Sequence, residues 1–515
     1  MPPPGFTPAQ FSAALKAFAD AIGAANVFSS LEDQVAYSDH YSPDESRHMP
    51  SAAVAPSSVE EVQAIVQIAN RYRVPLWPIS RGKNFGYGGA APVLKGSVVL
   101  DLTRMKRIEL DEDNGTVLVE PGVGFFDLYD YLQRHKIPLW LSVPANSWGS
   151  VAGNALDRGV GYTPYGDHSA QVCGLEVVLP TGELVRTGMG AMSGSPNWQL
   201  YRNGFGPGWD QMFAQSNFGV VTKLGLWLMP QPEALLGLDL EFDRPDDLGW
   251  AIDTIMPLRR AGIIRQSPSM GNWLRSASVM TTRDQWTHDR GALDETVITA
   301  IRRRFDIGWW SVQIRFYGPL EVAEASLNVL KKALNGKPVL AMKPVRWVEG
   351  DPPEGSTFSG VPISFPLANA NWYGGRGGHM GYSPVLPPKG SVALDQFHRT
   401  YALYRKYGID YHASFVMGER SLTNVNQILF DRDNQDMMQR VDRFFRDLVD
   451  DAKEKGYSEY RTHIEYMDLV ASTYDFNHHA LRRLNETVKD ALDPNGILAP
   501  GKSGIWPARL RKHEA

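Results

Sequence analysis

Apolar residues recur at helical spacing in SSVEEVQAIVQIANRY (57–72), where Val62, Ile65, Val66 and Ala69 share one face. Ser58 followed by Glu61 reads as a capping box that starts this helix. VPLWPIS then predicts a short strand, followed by a glycine-rich turn and two more strands in SVVLDL and TVLVEPG. FFDLYDYLQRHKIPLWLSV predicts a helix closed by a basic turn, then a proline-bearing strand. CGLEVVLPTGELVRTG predicts a hairpin that turns at Pro180-Thr181-Gly182. The first 230 residues read as α+β.

A second set begins near residue 233. Strand patterns in LLGLDLEFD, WWSVQIRFYG and YHASFVMG alternate with helix patterns in DDLGWAIDTIMPLRRAG, LEVAEASLNVLKKALNG, ALDQFHRTYALYRKYG and the stretch 434–454. That alternation predicts a second sheet with helices packed on one side. NWYGGRGGHMGYSP (371–384) reads as a glycine-rich loop with exposed backbone inside this second region.

At 515 residues the chain exceeds what one core usually supports, so two or more domains, or one fold with a large insertion, are expected. A net charge of −5 leaves no electrostatic footprint for nucleic acid or an anionic membrane. The single cysteine, Cys173, excludes an intrachain disulfide and thiol-based zinc sites, and its apolar setting predicts a buried small side chain. MPPPGFTPAQF is not a secretory leader, and no window reaches eighteen unbroken apolar residues, so a cytoplasmic protein without a membrane span is expected.

Candidate chemistry starts at SRGKNFGYGGA (80–90), where Gly82, Gly86, Gly88 and Gly89 follow a strand. Missing β-carbons let backbone N–H groups approach an anion such as a pyrophosphate. The spacing is neither a G-x-G-x-x-G fingerprint nor a P-loop, so a plain glycine-rich turn fits it equally well. His379, alone in its glycine-rich stretch, reads by itself as a surface or hydrogen-bonded residue, and Tyr460 and Arg461 by themselves read as structural. His478 and His479 show no metal-ligand spacing.

Longer motifs change this picture. SRGKNFGYGG, WGSVAGNALDRGVGYTPYGDH, LPTGELVRTGMGA, QSNFGVVTKLGLWLMP, YRTH and DPNGILAPGKSGIW run in order along the chain. Together they resemble the flavin-dependent 4-phenol oxidizing enzymes, the group of vanillyl-alcohol oxidase, eugenol oxidase and p-cresol methylhydroxylase. The resemblance implies an α+β, two-domain fold of the vanillyl-alcohol-oxidase type, with an FAD-binding domain from residues 1–232 and 456–515 and an inserted α+β substrate cap at 233–455.

It also implies site residues. Ser80, Arg81, Gly82, Lys83 and Asn84 lie on the FAD pyrophosphate; Ser150, Asn154 and Asp157 bond the flavin; Gly159 and Gly161 permit close approach. Pro144, Val151, Tyr162, Arg461 and Lys502 complete the expected FAD contacts, and His379 corresponds to the histidine that tethers the flavin covalently. A histidine tether raises the flavin's redox potential and eases hydride acceptance. Tyr87, Tyr460 and Arg461 are the implied catalytic set, holding a para-substituted phenol as phenolate while its benzylic carbon gives hydride to flavin N5, leaving a p-quinone methide. Dioxygen is the implied electron acceptor, and a homodimer or higher homo-oligomer the implied assembly. A cytochrome-linked dehydrogenase, a flavin-dependent lyase or isomerase that fragments the methide, and a non-catalytic flavin-binding module are the alternatives.

One position departs from the family pattern. The oxidases carry an aspartate after the proline of LSVP, and here that place is Ala145. In the family that carboxylate acts as a base near the reacting carbon, assists water addition and promotes flavin attachment. Asn146, Ser147 or Glu419 are the candidates for a substitute. His48 and His463 are candidates for groups behind the flavin, with a structural role the plainer reading.

Overall fold

The helix expected from the 57–72 pattern spans Val59–Tyr72 and buries Val62, Ile65, Val66 and Ala69. Removing the larger of these side chains from water contributes about 1.5–3 kcal/mol each. Only half of the capping box forms. Ser58 Oγ accepts from Glu61 N at 3.2 Å, but the Glu61 carboxylate accepts from Ser57 N at 2.6 Å instead of closing on Ser58. The computed structural model describes residues 2–352 and 354–511. The expected 1–232 and 456–515 segments therefore include residue 1 and residues 512–515, which lie outside the described set, as does residue 353 of the expected cap.

Three larger sheets organise the chain. The first orders Val27–Phe28, Ala52–Val54, Val98–Asp101 and Leu76–Ile79, with the last three strands parallel. Helices Pro8–Ile22 and Val59–Tyr72 share its core. Leu76 also bridges to Leu498, so the C-terminal segment returns to this sheet. The second sheet is antiparallel, ordering Ile108–Asp111, Thr116–Val119, Val220–Trp227, Val172–Val178 and Leu184–Arg186. Its last pair is the expected hairpin, and Cys173 is buried within it.

The third sheet has eight antiparallel strands, running from Ala341–Val348 through Ala234–Phe242, Trp310–Gly318, Ser269–Asn272, Ala413–Met417 and Leu422–Asp431 to Gly377–Tyr382, with Val385–Leu386 also paired to Leu422–Asp431. Helices Asp247–Arg260, Leu320–Leu334, Gly390–Tyr407 and Gln435–Glu454 share one apolar core with it. Helix Gln435–Glu454 buries Val441, Phe444, Phe445, Leu448 and Val449, the spacing of a single helical stripe. Phe445 stacks on Tyr466 at 3.9 Å, an aromatic contact of about 0.5–1.5 kcal/mol that joins this core to the C-terminal segment.

One expectation is corrected here. The stretch 371–384 is not an exposed loop throughout, because Gly377–Tyr382 is a strand whose residues 378–382 are buried. Its glycines serve close approach. A Cβ on Gly378 would strike the Phe430 ring, and one on Gly381 would strike the Tyr87 hydroxyl. Among the described residues no helix is long and apolar enough to cross a membrane.

Candidate active site

A cleft opens where the turn after strand Leu76–Ile79 meets helix Val151–Leu156 and the C-terminal segment. Ser80, Gly82, Lys83 and Asn84 line it from the turn, Ser150, Asn154 and Asp157 from around the helix, and Lys502 from the C-terminal side. Gly82 and Gly88 hold φ of +63° and +121°, which side chains resist. A Cβ would lie 2.8 Å from Ala90 Cβ at Gly82 and 2.6 Å from Ile464 Cγ2 at Gly88, and at Gly153 it would collide with Ser80 Oγ. Glycine at these positions therefore makes much of the cleft wall backbone.

Charge inside the cleft is arranged around Asp157. Lys502 Nζ lies 3.3 Å from its carboxylate and Asn84 Nδ2 donates to it at 3.2 Å. Burial works to raise this carboxyl, but Lys502, Arg461 and Asn84 outweigh it and hold the group below the usual carboxylate range. Lys83 reaches over the Trp148 ring at 5.6 Å. Asn154 Oδ1 lies 2.6 Å from His168 Nδ1, while His168 Nε2 has no hydrogen-bond partner. A backbone-walled turn beside a lysine suits phosphate, and the orphaned polar atoms suit a flat polar heterocycle, so the residues present fit a dinucleotide.

Tyr87, Tyr460 and Arg461 come together beside this cleft. The Arg461 guanidinium carbon is 4.1 Å from the centre of the Tyr87 ring and 5.6 Å from that of Tyr460. Burial pushes the Tyr460 phenol up to about 12, although Arg461 pulls the other way. Burial also opposes the charge on Arg461, and Tyr460, Tyr87 and Asp157 more than offset it, so the guanidinium stays protonated. Two phenol hydroxyls beside a fixed cation form a place for an oxyanion.

His379 stands on strand Gly377–Tyr382 with its ring against Gly86, where a Cβ would lie 2.6 Å from Cε1 and Nδ1. The Tyr41 ring packs edge-on at 5.2 Å. The side chain is buried, neither ring nitrogen has a hydrogen-bond partner, and burial pushes its pKa down to about 4. Its lone pair is therefore free of a proton at neutral pH. Behind it His463 Nε2 meets Asp39 Oδ2 at 2.7 Å, and His48 Nε2 meets Glu465 Oε2 at 2.9 Å.

Other expected residues are engaged away from the cleft. Arg81 turns its side chain to Asp127 at 2.7 Å. Val151 is buried in the second sheet's core, and its N–H donates to Val123 O at 3.0 Å. Pro144 O accepts from Ser147 Oγ at 2.8 Å, and a Cβ on Gly161 would strike Ser142 Oγ. A Cβ on Gly159 would likewise strike the Asn154 amide. The Tyr162 hydroxyl receives Arg275 Nη2 at 3.4 Å and so faces the eight-stranded sheet. Of the three substitutes for a carboxylate at Ala145, Asn146 lines the cleft and Ser147 is clipped to Ile363. Glu419 is exposed, with Arg259 3.9 Å away.

Sequence reasoning missed Asp39 and Tyr41, which pack against His463 and His379, Trp148 under Lys83, and Glu459. Glu459 is buried beside Tyr460, accepts from Ser383 N at 2.9 Å, and is pushed up to about 8 by burial.

Two family models match the chain: an FAD binding domain over residues 50–188 and the C-terminal domain of FAD linked oxidases over residues 365–503. The 4-cresol dehydrogenase [hydroxylating] flavoprotein subunit of Pseudomonas putida is 38% identical over 511 residues, covering 98% of this chain and 97% of that one. The 1'-carboxy-chondrochloren decarboxylase of Chondromyces crocatus is 30% identical over 96% of this chain and 98% of its own. Among solved structures, the 4-ethylphenol oxidase from Gulosibacter chungangensis in complex with isoeugenol superposes with a TM-score of 0.95 at 37% identity, covering 99% of this chain and 100% of that one. The group for which the cleft is built is FAD.

Proposed function

Because the chain belongs to the vanillyl-alcohol oxidase and p-cresol methylhydroxylase family of FAD-dependent enzymes, we propose that it oxidises para-substituted phenols at the benzylic carbon. Lignin-derived phenols with alkyl, allyl or hydroxyalkyl side chains are the proposed substrates. The observation that carries the reading is the convergence of Tyr87, Tyr460 and Arg461 on one place.

In this reading Tyr87 and Tyr460 donate to the substrate oxygen and Arg461 offsets its charge, so the phenol binds as phenolate. Electron density pushed to the para position lets hydride leave the benzylic carbon, and the substrate becomes a p-quinone methide. FAD, when bound, would supply the hydride acceptor, with dioxygen as the proposed final acceptor of the electron pair and hydrogen peroxide its product. Ser80, Gly82, Lys83, Asn84, Ser150, Asn154, Asp157 and Lys502 hold the cofactor, through the cleft's backbone wall, its hydroxyls and the polar cluster already described. His379, neutral and unpartnered, is assigned as the covalent tether. The FAD-binding part comprises 1–232 and 456–515 and the cap 233–455, consistent with the eight-stranded sheet lying between Ala234 and Asp431. A cytoplasmic homo-oligomer completes the proposal.

Ala145 favours a second reading for the methide's fate. With no carboxylate there, cleavage of the side chain competes with hydration, as in a lyase, and one relative of this chain is a decarboxylase. Another relative is the flavoprotein subunit of a dehydrogenase, which supports a partner protein, such as a cytochrome, as the alternative acceptor to dioxygen. Anaerobic mixing with a panel of 4-alkyl and 4-allyl phenols tests the main reading: free phenols bleach the flavin and para-methoxy analogues do not. Equal bleaching by both kinds overturns it. Peroxide yield in air, against reduction of an added cytochrome, decides the acceptor.

A further inference from the structure

The face of the eight-stranded sheet on which Tyr87 arrives carries a polar row that the phenol grip leaves unused. Gly381 pairs with Gln427 on the next strand, and Gln427 N donates to His412 O at 2.9 Å, continuing the register Ala413 to Asn426. Residues directly opposite one another in antiparallel strands share a face. The Cβ direction of Gly381 is blocked by the Tyr87 hydroxyl, so that face looks toward the site. Gly381 and His412 are two strand spacings apart, about 10 Å. A phenol held by its oxygen near Tyr87, with its ring laid along the row, would point its para-substituent toward the imidazole.

Other members of this layer are already engaged. The Gln427 amide oxygen accepts from Asn369, and Arg275 donates to Ser269 Oγ at 2.9 Å and to the Tyr162 hydroxyl at 3.4 Å. His412 is only 2% exposed, yet neither of its ring nitrogens has a hydrogen-bond partner. Burying an unpaired imidazole is costly, and an orphaned group of this kind calls for a water, a ligand or a reaction to account for it. Burial first, then Arg275, push its pKa down to about 3 against an opposing contact with its own backbone, so the ring is neutral.

We propose that His412 is the proton acceptor for the para-substituent of the bound phenol, the task performed by a carboxylate at the Ala145 position in the oxidases this chain resembles. This rests on the phenol-oxidising reading above. Once the benzylic carbon has lost its hydride, the methide discharges by either of two balanced routes. Water forms a C–O bond to that carbon while its O–H bond breaks toward the imidazole, and the exocyclic electron pair returns through the ring to the oxygen as phenolate. Alternatively the adjacent side-chain carbon gives its proton to the same nitrogen, its C–H pair becomes the new double bond, and the exocyclic pair again ends on oxygen. Both routes leave His412 as imidazolium, a charge that the phenolate across the ring favours.

The test uses FAD-loaded wild type, His412→Ala and His412→Asn, mixed anaerobically with one equivalent of 4-ethylphenol, with flavin bleaching and methide absorbance followed separately. Bleaching should stay within about threefold of wild type, while methide decay slows on the order of a hundredfold in both variants. Added imidazole should restore decay in His412→Ala, which a merely structural role would not produce. Methide decay at the wild-type rate in either flavin-loaded variant, or a slowed decay that imidazole leaves unchanged, overturns the assignment to His412 and leaves the phenol reading standing. Wild type that no phenol bleaches overturns both.

Discussion

The guanidinium of Arg461 covers the Tyr87 ring at 4.1 Å, although one residue comes from the glycine-rich turn and the other from the C-terminal return. A cation held over a phenol face contributes about 0.5–2 kcal/mol and fixes the orientation of both groups. Arg461 therefore both orients Tyr87 and supplies charge. Arg461→Ala should lower kcat/KM for a 4-alkylphenol by on the order of 10²–10³, the cost of losing an oxyanion partner. Tyr87→Phe keeps the stacked ring and should cost less. Steady-state kinetics with both variants checks the order, and a loss below about tenfold in Arg461→Ala tells against the phenolate grip.

The assignment of His379 predicts that acid-precipitated protein stays yellow and that the His379→Ala pellet is colourless. Gly86→Ala should also weaken attachment, because its Cβ would lie 2.6 Å from the His379 ring at a φ of +82°. Absorbance of the washed pellets reads both.

Glu459 predicts an unusual pH dependence. Burial raises its carboxyl to about 8, despite the hydrogen bond from Ser383 N. Since the folded pKa lies above the unfolded one, the native state binds the extra proton, and the stabilisation is complete below the ordinary carboxyl range of about 4.3. It is lost as pH rises toward about 8. The Tm of wild type should therefore fall more steeply than that of Glu459→Gln between about pH 5 and pH 8. Parallel thermal melts across that window are decisive, and parallel curves would refute the prediction.

Lys489 and Asp493 form a fully buried ion pair at 2.7 Å. The ammonium also donates to Asn217 O and Leu498 O at 2.7 Å, and the carboxylate accepts from the amides of Ile497 and Leu498 at 2.9 Å. The pair thus anchors the segment that bridges to Leu76. Lys489→Met should destabilise by about 3–5 kcal/mol, because a buried carboxylate is left uncompensated. Denaturant unfolding of the holoenzyme measures it as a lower midpoint.

Local pattern made much of the architecture legible, because burial of one face leaves a periodic trace. Helix Val59–Tyr72, the Val172–Val178 hairpin and the strand–helix alternation after residue 233 all carry it. Strand Gly377–Tyr382 carries none, since its glycines answer to Phe430 and Tyr87, neighbours that exist only after folding. The site divides in the same way. Residues within long motifs, such as Asn84, Asp157 and Arg461, could be placed through resemblance, and they do come together. His412 could not, because its alignment with Gly381, across Gln427, depends on the register of three strands. The Asp39–His463 contact joins opposite ends of the chain and leaves no local signal.

His379 grows from the eight-stranded sheet, whereas Gly86, against which its ring packs, belongs to the turn after Leu76–Ile79 that helps to build the cleft. The bond proposed from that histidine to the cofactor would form only after both halves have docked, so attachment would record completed assembly. Colour retained by denatured protein would then count the molecules that once matured, and a destabilised variant should show its defect first as a shortfall in that count.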